Sequence, residues 1–221
     1  MKKSVTDLRG VVRAGYEIID YASAFARGRD LRHPVERYFL TQLANRLPRG
    51  ARVIDLGCGT GLPYDAFLAG AGLSVTGVDF TRKHLDAARR NVPGAMFVEA
   101  DLATLPLADA SADAIVSFYA IFHIPRDEHA ALFAKIRRAL RRGGLLLVTL
   151  GTSDSLHGVD DDWFGAPMAW STFDPPTYLK LLGDAGFEIL ESRFEGAPSD
   201  DEYHLWVLAQ SAAAAAATAT T

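Results

Sequence analysis

The sequence predicts an α/β fold, a doubly wound sheet of seven strands (six parallel and one antiparallel) with helices on both faces. Two observations predict it. Apolar runs that are typical of buried strands alternate with stretches of helical period along most of the 221 residues, and this alternation favours a parallel sheet covered on both faces. The last two apolar runs are joined by a short polar connection, so they must pair as a hairpin and the final strand runs antiparallel.

The elements follow in order from these patterns. Apolar residues recur at helical spacing in 14–27 and in 34–47, where Pro34 opens the helix and Pro48-Arg49-Gly50 ends it. Strands and helices alternate from there on, and Gly143-Gly144 is the expected stop of the helix before the fifth strand. The predicted strands are 52–56, 73–79, 95–102, 113–118, 145–150, 187–194 and 203–209, and the remaining helices are 62–69, 82–91, 127–141 and 176–184.

Composition and charge exclude several classes of function. A net charge of -4 and a pI near 5.8 give no electrostatic footprint for nucleic acid or an anionic membrane, so neither is an expected partner. Cys58 is the only cysteine, which excludes an intrachain disulfide. No apolar stretch follows the Lys2-Lys3 start, and no run is long enough to span a membrane. We therefore expect a soluble cytoplasmic protein, a monomer or homodimer.

Glycine occupies alternate positions directly after the first strand, in the segment Asp55-Leu56-Gly57-Cys58-Gly59-Thr60-Gly61. A side chain at these glycines would keep the backbone away from a ligand. A dinucleotide-binding loop has the spacing G-x-G-x-x-G, which seats a pyrophosphate on the helix end, but Leu62 occupies the last glycine position of that pattern. The loop therefore favours a nucleoside without phosphate and disfavours a dinucleotide-dependent oxidoreductase.

Acidic residues end the next two strands. Asp79 ends the second, where a carboxylate can accept both hydroxyl protons of a ribose, and Asp101 ends the third. Together with the glycine loop and the fourth strand, these segments resemble, in residues and in order, the class I S-adenosylmethionine (SAM)-dependent methyltransferases. The resemblance covers about residues 35–209 and implies a Rossmann-like sheet, SAM as the cofactor and transfer of a methyl group.

The resemblance also implies a cofactor site. Asp79 would hold the ribose hydroxyls, Asp101 would face the adenine amino group, and Leu102 would offer its backbone N–H to the adenine ring. The full set of expected cofactor residues is Asp55, Gly57, Cys58, Gly59, Gly61, Asp79, Phe80, Asp101, Leu102 and Ser117.

The resemblance divides the chain into three parts. Residues 1–34 are the lid region, whose helix carries Tyr16 and Tyr21; these phenols either close the pocket or form edges of the core. Residues 35–210 are the SAM-binding domain. Residues 211–221, an Ala/Thr tail without amphipathic pattern, are expected to be disordered.

A long connection, 152–173, separates the fifth strand from the next helix. We expect it to lack regular structure and to serve as a lid or binding loop. Its apolar residues either pack on the core or wall a pocket for a small apolar or cationic substrate. The expected substrate contacts are Tyr16, Tyr21, Trp163, Met168 and Trp170.

The loop after the fourth strand, 119–126, carries the candidate catalytic residues Tyr119 and His123. Ligands of open α/β sheets bind at the carboxyl ends of the strands, and a nucleophile of high pKa needs a base such as histidine. The alternative for His123 is a structural role. Lower in rank are His157 and His204, and the histidines expected at the surface are His33, His84 and His129.

The sequence thus predicts a SAM-dependent methyltransferase acting on an oxygen or nitrogen atom of a small molecule. Ser117-Phe118-Tyr119-Ala120 lacks the Asn/Asp-Pro-Pro-Tyr signature of amino-group nucleic-acid methyltransferases. No metal is expected, because the successive side chains of Asp160-Asp161-Asp162 would point in different directions on a loop. Two alternatives stay open: cyclisation of the aminobutyrate arm of SAM with release of methylthioadenosine, and SAM binding without catalysis.

Overall fold

One seven-stranded sheet carries the fold. In spatial order its strands are β3 (Met96–Glu99), β2 (Ser74–Asp79), β1 (Arg52–Leu56), β4 (Ala112–Ser117), β5 (Leu140–Leu150), β9 (His204–Ser211) and β8 (Phe187–Glu195). The strands from β3 to β5 pair in parallel, and β9 pairs antiparallel with both of its neighbours. The predicted fold class, with one reversed strand among seven, is confirmed. The computed structural model describes residues 7–19, 31, 33–196 and 203–212.

Helices pack on both faces because strand side chains alternate between the faces. On β5, Leu145 and Leu147 join the core cluster that contains Phe39, whereas Leu146 joins the cluster that contains Phe133. None of the helices in the described ranges is long and apolar enough to cross a membrane. The helices are α1 (Leu8–Ile18), α2 (Pro34–Arg46), α3 (Tyr64–Gly70), α4 (Arg82–Asn91), α5 (His129–Ala139) and α6 (Pro175–Asp184).

Several boundaries differ from the predicted ones, and three of the differences are instructive. Helix α1 begins at Leu8 and not at 14, because the Asp7 side chain caps it by accepting a hydrogen bond from the Gly10 N–H. Strand β5 begins at Leu140. The two glycines that were expected to end the preceding helix lie inside this strand, where its pairing with β4 shifts register. Strand β9 runs to Ser211, whose hydroxyl donates to the carbonyl of Arg141 at 2.8 Å, so the expected tail starts later. Residues 213–221 lie outside the described residues.

The connection 152–173 is a β-hairpin, and the prediction that it lacks regular structure is wrong. Strands β6 (Ser155–Trp163) and β7 (Ala166–Thr172) pair antiparallel as a separate two-stranded sheet. The turn residues Phe164 and Gly165 both have positive φ, 51° and 83°, which is the requirement of a tight two-residue hairpin turn. Two register shifts interrupt the period-2 pattern of this hairpin, which explains why the sequence concealed it.

The hairpin packs against α1 and not on the main sheet. Leu8 and Val12 of α1 form a buried cluster with Met168 and Ala169 of β7. The approach is close at Gly15, where an added Cβ would lie 2.3 Å from the carbonyl oxygen of Pro167. Helix α1 is therefore held on the same side of the molecule as the carboxyl ends of the strands.

Candidate active site

A cavity of about 760 Å3, counted out to the solvent at its mouth, lies at the carboxyl ends of β1, β2 and β4. Helix α1 covers it and contributes four residues to its lining. The predicted site residues that line the cavity are Tyr16, Gly57, Gly59, Asp79, Phe80, Asp101, Leu102, Tyr119 and His123.

The glycine loop forms the floor of this cavity. The N–H groups of Gly57 and Cys58 both donate to the carbonyl of Val78, at 2.8 and 3.0 Å. Gly57 has φ +89°, and an added Cβ would lie 2.4 Å from the Cβ of Ala120. Only glycine satisfies both the backbone conformation and this close contact.

Asp79 faces the cavity while it also holds the loop. One carboxylate oxygen accepts from the Gly59 N–H at 2.9 Å, and the other accepts from the Thr81 N–H at 2.8 Å. A carboxylate has about four lone-pair positions, so acceptor capacity remains for the two hydroxyls of a ribose. The chemistry of this residue fits the cofactor that the sequence predicts.

The loop after β3 supplies the other end of the nucleoside site. The Asp101 carboxylate accepts from the Ala103 N–H at 2.8 Å. Lys135 of α5 fixes the loop, since its ammonium group donates to the carbonyls of Leu102, Ala103 and Leu105 at 2.9, 2.7 and 3.1 Å. A carboxylate and an apolar side chain are thereby held against the cavity, which suits an adenine ring and its amino group.

Four of the predicted cofactor residues do not line the cavity: Asp55, Cys58, Gly61 and Ser117. Ser117 is fully buried, and its hydroxyl donates to the carbonyl of Leu56 at 2.7 Å. Burial raises the pKa of the Cys58 thiol, so the thiol is protonated at neutral pH. These residues lie on the core side of the loop, and their role in cofactor binding stays a prediction.

Beneath the loop, Asp55 of β1 lies beside Asp65 of α3, and both carboxyls are buried. Burial raises the pKa of Asp55 well above its usual range and that of Asp65 to about 7. Since two neighbouring carboxylates without water cannot both ionise readily, this pair holds at least one proton at neutral pH.

His123 lines the cavity beside Tyr16 of α1. Its Nδ1 is 2.8 Å from the carbonyl oxygen of Ala169, which can only accept, so Nδ1 carries the hydrogen. Its Nε2 then accepts from the hydroxyl of Tyr16 at 3.0 Å. Burial lowers the pKa of His123 to about 4. The imidazole is therefore neutral at pH 7, and the Tyr16 hydroxyl occupies its lone pair.

Tyr119 also lines the cavity. Its backbone has φ +54°, a conformation that costs a bulky residue energy and is often found at functional sites. The hydroxyl of Thr149 stabilises this conformation by accepting from the Tyr119 N–H at 2.5 Å. The phenol donates to the carboxylate of Glu195 at 2.6 Å.

The aromatic residues of the hairpin pack against Tyr16 and His123 and do not line the cavity. The Trp163 ring lies 6.2 Å from that of Tyr16 and 6.5 Å from that of His123, and the Trp170 ring lies 6.1 Å from that of His123. Met168 is fully buried between α1 and the hairpin. Trp163 contacts the cavity lining through Tyr16 and His123, and Trp170 does so through His123. Tyr21 lies outside the described residues, as does the side chain of His157.

Sequence reasoning missed several cavity residues. Arg9, Val12 and Arg13 belong to the first turns of α1. The helix-capping residue Asp7, followed by the apolar Leu8 and Val12 at helical spacing, could have indicated that the helix starts this early. His84 is not at the surface as expected: it is buried, lines the cavity and lies 3.7 Å from Asp79.

Two other residues depart from the expectation. His129 is fully buried and not at the surface, with its Nε2 3.0 Å from the carbonyl of Ile124. Nothing in the local sequence indicated that Glu195 contacts the site, because its partner Tyr119 is 76 residues away in the chain. Within the described ranges, no three His, Cys, Asp or Glu side chains come together as possible metal ligands.

The sheet order, the glycine loop and the acidic strand ends define a class of proteins that bind a nucleoside without phosphates at the edge of a doubly wound sheet. A family model described as a methyltransferase domain matches residues 53–144. The malonyl-[acyl-carrier protein] O-methyltransferase of Enterobacter lignolyticus is 33% identical over 147 residues, which are 64% of this chain and 57% of that protein. The chain spans between 49% and 76% of the length of such curated relatives.

Solved structures agree with these matches. A SAM-dependent methyltransferase from Mesorhizobium loti superposes with a TM-score of 0.66 at 25% identity and covers 83% of this chain and 100% of that one. The 1,6-didemethyltoxoflavin-N1-methyltransferase of Burkholderia thailandensis, solved with its substrate and S-adenosylhomocysteine, has the same fold (TM-score 0.65, 24% identity, 88% of this chain and 86% of that one). These matches show a methyltransferase domain with the fold of the class I SAM-dependent methyltransferases, and they support SAM as the cofactor of this site.

Proposed function

We propose that the protein transfers the methyl group of SAM to an oxygen or nitrogen atom of a small molecule. One observation carries the proposal. Asp79 and Asp101, whose carboxylates suit the nucleoside, and Tyr16 and Tyr119, whose phenols suit a polar acceptor, line a single cavity. When bound, SAM supplies an electrophilic methyl group on a sulfonium ion, so the protein's task is to position the acceptor and exclude water.

The residues at the acceptor end divide this task. Tyr119 presents its phenol to the acceptor from the end of β4, in a backbone conformation that Thr149 stabilises. His123 orients Tyr16 and, through it, closes α1 over the cavity. A role of His123 itself as the proton acceptor remains a prediction. Its imidazole is neutral at pH 7, but its Nε2 already accepts a hydrogen bond from the Tyr16 hydroxyl at 3.0 Å.

The shape of the site supports a small acceptor. The cavity lies at the carboxyl ends of the strands, α1 contributes four residues to its lining, and small molecules bind in such concave sites. The names of the two proteins above give an N1 position and a malonyl group as methyl acceptors, so both nitrogen and oxygen acceptors occur among proteins similar to this one.

Product analysis separates this function from its alternatives. The protein would be incubated with SAM and a small-molecule extract, and the nucleoside product identified by mass spectrometry. S-adenosylhomocysteine formed only with extract supports methyl transfer. Methylthioadenosine formed without extract would indicate cyclisation of the aminobutyrate arm, and binding without any product would indicate a non-catalytic protein. The Asp79→Ala variant is the control for background chemistry.

A further inference from the structure

Two buried carboxyl groups lie directly behind Tyr119. Glu195 of β8 and Glu36 of α2 are only 2% and 1% exposed. The Tyr119 hydroxyl is 2.6 Å from Oε2 of Glu195 and 3.5 Å from Oε1 of Glu36. The indole N–H of Trp206 donates to the same Oε2 of Glu195 at 2.8 Å. Tyr119 thus connects the cavity, which it lines, with a carboxylate that the cavity does not reach.

The surroundings of Glu195 suit a group that takes up a proton. Burial raises its pKa, against the hydrogen bonds from Trp206 and Tyr119, which lower it. Of the other ionisable groups that face this cluster, Nε2 of His33 lies 3.4 Å from Oε1 and Nδ1 of His204 lies 3.9 Å from Oε2. Tyr64 donates to Glu36 at 2.5 Å. The side chain of His33 is 34% exposed, so it connects Glu195 with solvent.

We propose that Glu195 is the proton acceptor of the methyl transfer, reached through the phenol of Tyr119, and that the methyl acceptor is accordingly a protic O–H or N–H group. This inference rests on the proposed function and deepens it. Glu195 acts through Tyr119 and does not touch the acceptor itself.

The proton transfer balances as follows. The acceptor oxygen or nitrogen forms a bond to the methyl carbon, and the bond between that carbon and sulfur breaks, with its electron pair passing to sulfur. The acceptor proton moves to the Tyr119 oxygen while the Tyr119 proton moves to Oε2 of Glu195. Tyr119 ends as a neutral phenol, and the Glu195 carboxylic acid returns its proton to solvent by way of His33.

The same geometry disfavours a carboxylate as the acceptor. An ionised carboxylate has no proton to give, so it would not use the Tyr119–Glu195 pair. It would also lie near the buried Glu195, which must be ionised to accept a proton, and charges of like sign repel strongly where water is excluded. By contrast, His123, the imidazole at this end of the cavity, is uncharged at neutral pH.

The first test needs no acceptor. Trp206 reports on Glu195 through their hydrogen bond, so tryptophan fluorescence of the complex with S-adenosylhomocysteine would be recorded from pH 4 to pH 8. We expect a transition with a midpoint above about 4.3, the ordinary value of glutamate. Glu195→Gln should abolish it, and Tyr119→Phe should raise its midpoint, because a hydrogen bond to the ionised form is lost. A missing transition in the parent protein, or an equal one in Glu195→Gln, would overturn the proposal.

A matched control lies on the same strand. Glu191 accepts from the hydroxyl of Tyr38 at 2.8 Å, and this tyrosine–glutamate pair is not part of the cavity lining. Glu191→Gln should leave the fluorescence transition and turnover unchanged.

The second test measures turnover with three probes: catechol, tyramine, and the malonyl thioester of N-acetylcysteamine as a carboxylate. We expect methylation of a protic probe, a roughly hundredfold loss in Glu195→Gln with the dissociation constant of S-adenosylhomocysteine unchanged, and loss of the acidic limb of the pH–rate profile. Faster methylation of the malonyl thioester than of either protic probe would overturn the inference. So would a Glu195→Gln rate within threefold of the parent's. Lack of S-adenosylhomocysteine binding by calorimetry would instead count against the proposed function itself.

Discussion

Asp79 combines two roles in one carboxylate, and this makes it the most informative single residue of the cofactor site. It fixes the glycine loop through Gly59 and the start of α4 through Thr81, and it faces the cavity where the ribose is expected. Loop geometry and ligand binding are therefore coupled at this residue.

Replacement of Asp79 by alanine should weaken binding of S-adenosylhomocysteine by about 1.5–3 kcal/mol, the size of a hydrogen bond to a charged group. Isothermal titration calorimetry measures the change. Glu99→Ala is the control, because Glu99 also ends a strand of the sheet but lies outside the cavity lining. Gly59→Val should abolish binding, since a branched side chain would fill the floor of the cavity. Unchanged affinity in a folded Gly59→Val protein, or tight NAD binding, would contradict the assignment.

His123 offers a second test at the scale of single residues. Because its Nε2 is engaged by Tyr16 and its pKa is lowered to about 4, we expect His123→Ala to reduce turnover by less than about tenfold, with Tyr16→Phe giving a similar loss. Steady-state kinetics with S-adenosylhomocysteine affinity measured in parallel would decide. A loss of about a hundredfold or more at constant affinity would make His123 the base, as the sequence alone suggested.

Sequence could predict that glycines and strand-end carboxylates line the cavity, but not which contacts Tyr16 and Tyr119 make, for a physical reason. The glycines, Asp79 and Asp101 follow strands whose apolar pattern fixes where each residue emerges, so local spacing suffices. The Tyr16–His123 contact joins residues 107 apart in the chain, and the Tyr119–Glu195 contact joins residues 76 apart. Such pairs depend on how α1 and β8 pack, which no local pattern encodes.

At the scale of elements, α1 and the hairpin form one unit that closes the cavity. The sequence predicted most helices and strands within a few residues, because their apolar periods are long and regular. It missed the hairpin, where two register shifts break the alternation, and the first turns of α1. The hydrophobic residues of both elements could nevertheless be recognised in the sequence. The sequence did not indicate that they pack against each other.

Gly15 is the residue at which this unit can be tested. Gly15→Ala should strengthen an isolated helix by nearly 1 kcal/mol, yet in the folded protein the new Cβ would lie 2.3 Å from the Pro167 carbonyl oxygen. We expect a net loss of about 1–3 kcal/mol in the docking of α1, as for other overpacked contacts. Hydrogen exchange of the α1 amides and S-adenosylhomocysteine affinity would both reveal it.

The matched control is Gly70→Ala in α3, where no atom lies within 4 Å of the added Cβ. That change should leave exchange and affinity unaltered. Equal protection of α1 in Gly15→Ala and the parent protein would show that α1 does not depend on the close contact with β7.

At the scale of the whole molecule, the contributions of buried titratable groups to stability change with pH in opposite directions. The pKa of Asp65 is raised to about 7, so its contribution is fully present below about pH 3.9, the unfolded value, and is lost as pH rises towards 7. The pKa values of His123 and His129 are lowered to about 4 by burial, so their contribution is present above about pH 6.5 and is lost as pH falls towards 4. Between pH 4 and 6.5 these slopes oppose each other.

Removal of the Asp65 carboxyl should therefore reveal the pH dependence that His123 and His129 contribute. In Asp65→Asn the contribution of Asp65, which declines as pH rises, disappears. The free energy of unfolding should therefore rise between pH 5 and 6.5 by about 2 kcal/mol more than in the parent protein, which is one proton over 1.5 pH units. Urea unfolding at both pH values measures this difference, with the exposed Asp109→Asn as the control. The same pH slope in Asp65→Asn and the parent would mean that Asp65 is ionised in the folded state. The carboxyl pair beneath the glycine loop would then carry at least one negative charge throughout this pH range, and the cavity floor would repel an anionic ligand more strongly than the raised pKa of Asp65 implies.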